Sequence, residues 1–469
     1  MTYLQRHALF FMLVLLPGLA NAAEFDGARL SLMWAIPFAG ILLSIALMPV
    51  MASKFWHRHF GKVSAAWTLA FLLPFAYFFG VEAAGVSLIH ALLAEYIPFI
   101  ILLAALYTVA GGIYIRGSLH GSPALNCGLL LIGVVLASFM GTTGASMLMI
   151  RPLLRANEHR QNKVHLVVFF IFLVSNVGGS LTALGDPPLF LGFLKGVDFF
   201  WTARFIFSET LFMVASLLVI FYIVDSYYFK KEGVLRVAPP TEPAKIGFDG
   251  SANFWLLGAT AGLVLMSGVW KSPVVFDVAG TVVGLPSLVR DAGLGIIILI
   301  SLLITAKSVH NSNQFSWAPM QEVAKLFVGI FVTIIPVIAM LKAASDGPFS
   351  AIVAGITRPD GSPDPAMYFW ATGLLSSFLD NAPTYLVFFN TAGGDPKALM
   401  TTLAPTLAAI SAGAVFMGAN TYIGNAPNLM VKAVAEDRGV EMPSFFGYTV
   451  WSCGVLIPLF IIVTLIWFR

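Results

Sequence analysis

Two acidic residues, Asp186 and Asp380, lie within otherwise apolar stretches of the chain, next to glycine, proline, hydroxyl and amide residues. An isolated carboxylate at membrane depth costs roughly 3 kcal/mol or more, so it usually faces a cavity and marks the path of an ion or a proton. Hard cations prefer oxygen ligands, and an unpaired carboxylate in a low dielectric tends to take up a proton. The two acids therefore predict a site on the path of a cation or of protons. Alternatively, each carboxylate caps the half-helix that follows it, at Pro187 and Asn381.

Hydroxyl and amide side chains accompany the two acids at four glycine- and proline-rich points. Proline lacks a backbone N–H and glycine adopts conformations that other residues avoid, so these stretches predict exposed carbonyls and helix ends, which bind cations and anions respectively. Single kinks of this kind are common in membrane helices, but four in two matched pairs favour a binding site. The candidate ion- or substrate-binding residues are Thr142, Thr143, Asn176, Thr182, Gly185, Asp186, Asp380, Asn381, Thr384, Asn420, Thr421, Asn425 and Asn428.

The four interruptions belong to an internal repeat without gaps. Six residues of the first half recur 239 residues later: Ser138 and Ser377, Phe139 and Phe378, Gly179 and Gly418, Thr182 and Thr421, Gly185 and Gly424, Pro188 and Pro427. Helix breaks at matching points of two apolar halves are typical of secondary transporters, in which broken helices from two repeats meet at mid-membrane and bind the solute.

The composition requires a membrane. Hydrophobic residues make up 58% of the 469 residues and charged residues only 10%, and many apolar runs approach the roughly 20 residues that span a bilayer. The net charge is only +3, and the basic residues lie in short loops between the apolar runs. This distribution indicates which loops are cytoplasmic and argues against a nucleic-acid partner. Cys127 and Cys453 lie in apolar runs without zinc spacing and are expected only to pack.

Residues 1–23 are predicted to be a signal peptide. Arg6 precedes a short apolar stretch, and Ala20-Asn21-Ala22 offers a cleavage site. An uncleaved amphipathic anchor is the alternative. The segment and the apolar spans together predict a multi-pass protein of the bacterial inner (cytoplasmic) membrane.

Basic residues conflict with a simple count of spans. Arg151, Arg155, Arg160 and Lys163 follow the apolar segment 123–149, and one more full crossing would place them outside. A re-entrant hairpin with its tip near Gly141–Gly144 removes the conflict. The predicted fold is an all-α polytopic membrane protein with two inverted repeats, residues 24–229 and 251–469. Each repeat has five spans, one hairpin and a helix broken at mid-membrane, and a cytoplasmic linker, 230–250, joins the repeats.

Four windows of the chain resemble the ion transporter superfamily. They are Ser175-Asn176-Val177-Gly178-Gly179, Gly185-Asp186-Pro187-Pro188, Asp380-Asn381-Ala382-Pro383 and Gly424-Asn425-Ala426-Pro427-Asn428. The chain is most similar to the NhaD-type sodium/proton antiporters and to the related citrate-transporter (CitMHS-like) family. The resemblance implies paired hairpins, inverted repeats, a homodimer in the lipid bilayer and elevator-like alternating access.

The hairpin tips help to choose among substrates. Sodium-coupled dicarboxylate carriers of the superfamily have Ser-Asn-Thr at both tips, whereas this chain has Gly141-Thr142-Thr143 and Asp380-Asn381-Ala382. At about 4 Å and an effective dielectric of about 20, a fixed Asp would repel a substrate carboxylate by about 4 kcal/mol. NhaD-type proteins commonly carry an acid in the first hairpin too, and this chain has none there.

The predicted function is therefore secondary active transport, with sodium/proton antiport favoured. Sodium and protons are then the transported or coupling ions, Asp186 and Asp380 the sodium-binding carboxylates, and no other cofactor is expected. Transport of citrate, metal–citrate or another small organic anion is the alternative. An intramembrane enzyme is disfavoured, because the Gly-x-Gly-Asp protease signature fails at Ala183 and no catalytic residue is identified.

Overall fold

The computed structural model describes residues 26–117, 119–232 and 247–469. The predicted signal peptide and most of the predicted linker 230–250 lie outside the described residues. The long helix that precedes the linker runs Phe207–Lys231. It therefore continues past residue 229, where the first repeat was predicted to end.

Helices dominate the described part of the chain. Eight of them are long and apolar enough to cross a membrane: Leu32–Pro49, Ser53–Phe79, Val81–Gly111, Pro123–Ala156, Phe207–Lys231, Ala252–Val269, Leu285–Ile304 and Phe445–Trp467. A bent pair, Ala318–Thr333 and Ile335–Lys342, meets at 42° and makes a ninth if it counts as one span. Shorter helices occupy the connections: Trp201–Phe205, Lys307–Ser312, Ser350–Gly355 and Pro396–Met400. The prediction of a helical, multi-pass membrane protein is confirmed at this level.

Two short antiparallel ribbons were not predicted. Tyr114–Arg116 pairs with Gly247–Asp249, and Val275–Val278 pairs with Thr281–Gly284. In the second ribbon Ala279 and Gly280 have φ values of 52° and 81°, the left-handed pair that a two-residue hairpin turn requires. Both ribbons lie in connections between helices, so the all-α expectation holds for the candidate membrane spans and not for every connection.

The segment Pro123–Ala156, the first hairpin, folds back on itself. A straight helix of 34 residues would be about 51 Å long, yet the side chains of Asn126 and Asn157 exchange hydrogen bonds of 3.0 and 2.8 Å. The helix breaks at Gly141, whose φ of 79° and ψ of 150° are unfavourable for a residue with a side chain. The break leaves two antiparallel arms of similar length.

The second hairpin consists of Pro365–Phe378 and Asn381–Thr391. Its arms also fold back, because the rings of Tyr368 and Phe388 lie 6.2 Å apart. The break includes Asp380, which is the repeat counterpart of Gly141. Here the carboxylate of Asp380 accepts a hydrogen bond of 3.0 Å from the backbone N–H of Ala382 and so caps the second arm.

Each hairpin is followed by a helix that unwinds and resumes at a proline-containing turn. The first broken helix is Val164–Leu173 and Pro187–Leu194, and the second is Ala404–Met417 and Ala426–Asp437. Short 3₁₀ segments, Val177–Ser180 and Gly418–Asn420, lie within the two breaks. Proline suits the first turn of a helix because its missing N–H has no partner there.

The hairpins pack crosswise. The second hairpin's arm Asn381–Thr391 packs on Pro187–Leu194, and the first hairpin packs on Ala426–Asp437. Each hairpin thus contacts the resumed helix of the other half of the chain. Around this core, helices such as Ser53–Phe79 and Leu285–Ile304 leave large apolar side chains exposed, as surfaces that face lipid do.

Candidate functional site

Asp186 lies at the centre of the candidate site. It precedes the helix Pro187–Leu194 and is only 1% exposed. Its Oδ1 accepts hydrogen bonds from the Thr142 hydroxyl at 2.7 Å and from Nδ2 of Asn425 at 3.2 Å. Its Oδ2 accepts from Nδ2 of Asn381. Both hairpins and both helix breaks therefore meet at one carboxylate.

The contact between Asp186 and Asn425 reflects the internal repeat. These residues are counterparts, 239 positions apart, and their side chains are hydrogen-bonded directly. The bond joins the first helix break to the second, so Asp186 lies where the two halves of the chain meet.

No charge of the described residues compensates that of Asp186. Its three partners are a hydroxyl and two amides, and among the described residues no Lys, Arg or His forms an ion pair with it. The described residues also contain no group of three His, Cys, Asp or Glu side chains that could hold a metal ion. Since burial disfavours an uncompensated charge, the site suits a carboxylate that meets either a cation or a proton.

Two buried amide oxygens, of Asn381 and Asn420, have no hydrogen-bond donor among the described residues. Asn381 donates its N–H to Asp186, while its Oδ1 is buried without a hydrogen-bond partner. Asn420 likewise donates to the Ser377 hydroxyl at 2.9 Å and leaves its Oδ1 unpartnered. A buried carbonyl without a donor is costly, and it is the kind of ligand that a hard cation accepts.

Asn176 and Asn428 join the two helix breaks behind the carboxylate. Asn176 donates to Oδ1 of Asn428 at 2.8 Å and accepts from Asn425 at 3.2 Å. Asn428 in turn donates to the carbonyls of Gly418 and Thr421, both at 2.9 Å. Because these amides have their protein partners, they orient Asn425 toward Asp186 rather than lie open to a ligand.

Thr182 and Thr421 hold each hairpin to the following break. Their hydroxyls donate to the carbonyls of Ser138 and Ser377, each at 2.5 Å, and accept from backbone N–H groups two residues later at 3.2 Å. Both were predicted to be ion ligands, and in the structure both hydroxyls have backbone partners. Gly185 also contributes its backbone, because its carbonyl accepts from the N–H of Thr142 at 2.8 Å.

The structure does not bring the two acids into contact. Asp380 is half-buried and caps its helix, and its neighbour Asn381 is the residue that bonds to Asp186. The hydroxyl of Thr384 donates to the Asp380 carbonyl at 3.0 Å and belongs to the same helix start. The capping role that the sequence offered as an alternative is therefore present at Asp380, while the Asp186 side chain makes no capping bond.

A cavity of about 80 Å³ adjoins Asp186, Thr142 and Thr143. The rest of its wall is largely apolar and comes partly from helices outside the hairpins and helix breaks. Leu102 and Leu106 belong to the helix Ile97–Gly111, and Met320 belongs to Ala318–Thr333. No motif marks these residues. Among the described residues that line the cavity, none carries a positive charge.

Replacing Thr182 by Val tests the bond between hairpin and break. Valine keeps the shape of threonine but leaves the Ser138 carbonyl and the Leu184 N–H without their partner, so we expect a loss of about 1–3 kcal/mol. The measurement is the melting temperature of the purified protein in detergent. Thr182→Ser keeps the hydroxyl and is the control; equal melting temperatures for the valine and serine variants would contradict the assigned contact.

Membrane-spanning helices arranged around paired hairpins, with a buried carboxylate between two broken helices, support a secondary transporter rather than an enzyme. A family model described as "Putative citrate transport" matches residues 27–468, and the chain belongs to this family. The chain is also similar to a "46 kDa membrane protein" of Mycobacterium leprae (strain TN), with 26% identity over 342 residues that cover 70% of this chain and 73% of the relative.

Proposed function

We propose that the protein is a secondary active transporter that exchanges sodium ions for protons. The observation that carries the proposal is the surroundings of Asp186. Its carboxylate is buried, has hydroxyl and amide partners, and adjoins a small cavity. None of the described residues that line this cavity is basic. In such a site either a cation or a proton can neutralise the carboxylate, so binding of one displaces the other.

The size of the cavity favours an inorganic cation over an organic anion at Asp186. Its volume is about 80 Å³, whereas sites for small organic molecules usually measure about 300–1,000 Å³. The lining also holds an acid and no base, which repels a carboxylate. In the proposed exchange Thr142, Asn381 and Asn425 orient the carboxylate, and the free Oδ1 of Asn381 is available as an additional ligand. Asp380 and Asn420 are proposed to form a second group of ligands, at the second hairpin.

The proposed topology is that of inverted repeats with re-entrant hairpins. Three observations support this topology. The two ends of the first hairpin are hydrogen-bonded to each other, and each hairpin packs on the resumed helix of the other half. Thr182 and Thr421, which are repeat counterparts, make the same bond from a helix break to a hairpin. In this topology residues 24–229 and 251–469 form the repeats, and the linker 230–250 lies in the cytoplasm. We further propose a homodimer in the bacterial inner membrane with elevator-like alternating access.

Cysteine labelling tests this topology. Cys127 and Cys453 are first replaced by alanine, and a single cysteine is then introduced at Gln161 or at Asp360. Both of these positions are exposed, whereas the neighbouring Arg160 is buried. We expect a membrane-impermeant maleimide to label position 360 in intact cells and position 161 only after permeabilisation. Labelling of position 161 in intact cells would make the first hairpin a full span and contradict the inverted repeat.

Family membership favours the second candidate, transport of citrate or a metal–citrate complex. Proteoliposomes with an internal pH dye separate the two functions. Sodium/proton antiport predicts that sodium, and to a different extent lithium, dissipates an imposed pH gradient without citrate, while potassium does not. Citrate transport predicts uptake of labelled citrate and no cation-dependent pH change in its absence.

A further inference from the structure

A second, larger cavity lies at the far end of the helix Pro187–Leu194 from Asp186. Its volume of about 580 Å³ falls within the range of sites for small organic molecules. The wall is formed by the end of that helix and residues 196–204, by the end of Ala252–Val269, and by the start of Leu285–Ile304. Gly196, Gly268 and Gly284 lie in the wall.

Arg290 is the most informative side chain of this cavity. It lines the cavity and is only 3% exposed. Its Nε donates to Oδ1 of Asp291 at 2.7 Å, and its guanidinium carbon lies 5.9 Å from the centre of the Phe190 ring. A guanidinium has five N–H donors, and among the described residues no acceptor takes the four on its terminal nitrogens. A buried arginine with four unused donors at a cavity wall requires an acceptor from outside the protein or from water.

The remaining charges point to the same class of ligand. Arg204 and Lys271 line the cavity on exposed positions, and Asp198 is the one acid of its described lining without an ion pair among the described residues. The nearby Lys195 does not contribute, because it forms an ion pair with Glu95. With Asp291 paired to Arg290, the free charges of the lining sum to a positive value, and positive charge at a partly enclosed wall favours an anion.

We infer that this cavity binds a small organic anion through a carboxylate held by the terminal nitrogens of Arg290. The planar fork of a guanidinium matches the two oxygens of a carboxylate. The apolar side chains of Phe193, Leu265 and Val282 in the same wall suit a carbon skeleton better than inorganic phosphate. Arg204 and Lys271 at the rim attract the anion and contact a second acidic group where the ligand carries one. The inference does not rest on cation exchange at Asp186.

Equilibrium binding to the full-length protein in detergent tests the inference, with labelled succinate and citrate as probes and phosphate as competitor. We expect Arg290→Gln to weaken carboxylate binding at least about tenfold, since a charge-assisted hydrogen bond is lost. Arg204→Gln combined with Lys271→Gln should weaken it by a smaller factor and reduce its dependence on salt. Arg358→Gln removes an arginine outside this cavity and should bind like wild type.

If Arg290→Gln fails to fold, the double variant Arg204→Gln, Lys271→Gln at the rim of the cavity still tests the inference. Carboxylate binding that is unchanged in the rim double variant at low salt overturns the inference, as does the absence of binding by either probe. Competition by phosphate at equal strength overturns the assignment to carboxylates. Asp186→Asn should bind carboxylates as the wild type does. Loss of carboxylate binding in that variant would indicate that the anion binds beside Asp186 and would refute binding at Arg290. Loss of cation exchange with normal carboxylate binding would show only that Asp186 is needed for exchange, and it supports a separate anion site at Arg290.

Discussion

Replacing Asp186 by Asn is expected to reduce sodium-dependent proton exchange to the level of empty liposomes. The amide has the shape of the carboxylate but neither its charge nor its titratable proton, so neither ion is bound in exchange for the other. The fold should tolerate the change, because Asn381 can turn its amide and present the Oδ1 that now lacks a donor. The measurement is dye-reported pH change in proteoliposomes after a sodium pulse.

Asp380→Asn is the informative companion of this variant. Asparagine caps helices as well as aspartate does, so the start of Asn381–Thr391 should be preserved. If the charge of Asp380 takes part in exchange, activity falls as for Asp186→Asn, and if the residue only caps, activity is unchanged. Wild-type exchange in both asparagine variants, or an effect on citrate uptake alone, would refute the antiporter and favour the organic-anion function.

Gly185→Ala is expected to cause the largest loss of stability among single methyl additions at the site. A Cβ at this position would lie 2.1 Å from the carbonyl oxygen of Gly179, which is backbone and cannot turn aside. The strain should exceed the roughly 1–3 kcal/mol typical of overpacking and should separate Asp186 from Thr142, because the Gly185 carbonyl binds the Thr142 N–H. The expected result is a markedly lower melting temperature in detergent and loss of transport.

Gly128→Ala provides the matched control. Gly128 lies in the first hairpin, and a Cβ there meets nothing within 4 Å. Alanine in a helix interior is favoured over glycine by roughly 0.5–1 kcal/mol, so the melting temperature should stay level or rise. A Gly185→Ala variant as stable as Gly128→Ala would show that the two segments of the first break are not packed as closely as the structure has them.

The sequence pattern predicted the helical membrane fold because hydropathy and helix-breaking residues act locally. It also singled out Asp186 and its amide neighbours, since a carboxylate in an apolar run is conspicuous wherever it lies. The backbone partners of Thr182 and Thr421 were not apparent from the sequence. A hydroxyl that binds a carbonyl 44 residues away has the same local signature as one that binds an ion.

The walls of the cavities could not be predicted for the same reason. Leu102 and Met320 resemble any other apolar residue of a membrane helix, and only packing between distant helices brings them beside Asp186. Arg290 cannot be recognised from the sequence, because a basic residue near the end of a span is ordinary in membrane proteins. Its burial and its unused donors appear only when Phe190 and Asp291 are seen beside it.

The crosswise packing of the hairpins constrains how the protein is made. Asp186 is synthesised 239 residues before Asn425, and its other amide partner, Asn381, also belongs to the second half. At about 5–20 residues per second the ribosome takes roughly 10–50 s to supply these partners. During that interval the nascent first half must shelter an incompletely bonded carboxylate, through water or through the membrane-insertion machinery. The hydrogen bonds around Asp186 are therefore completed late in the assembly of the protein.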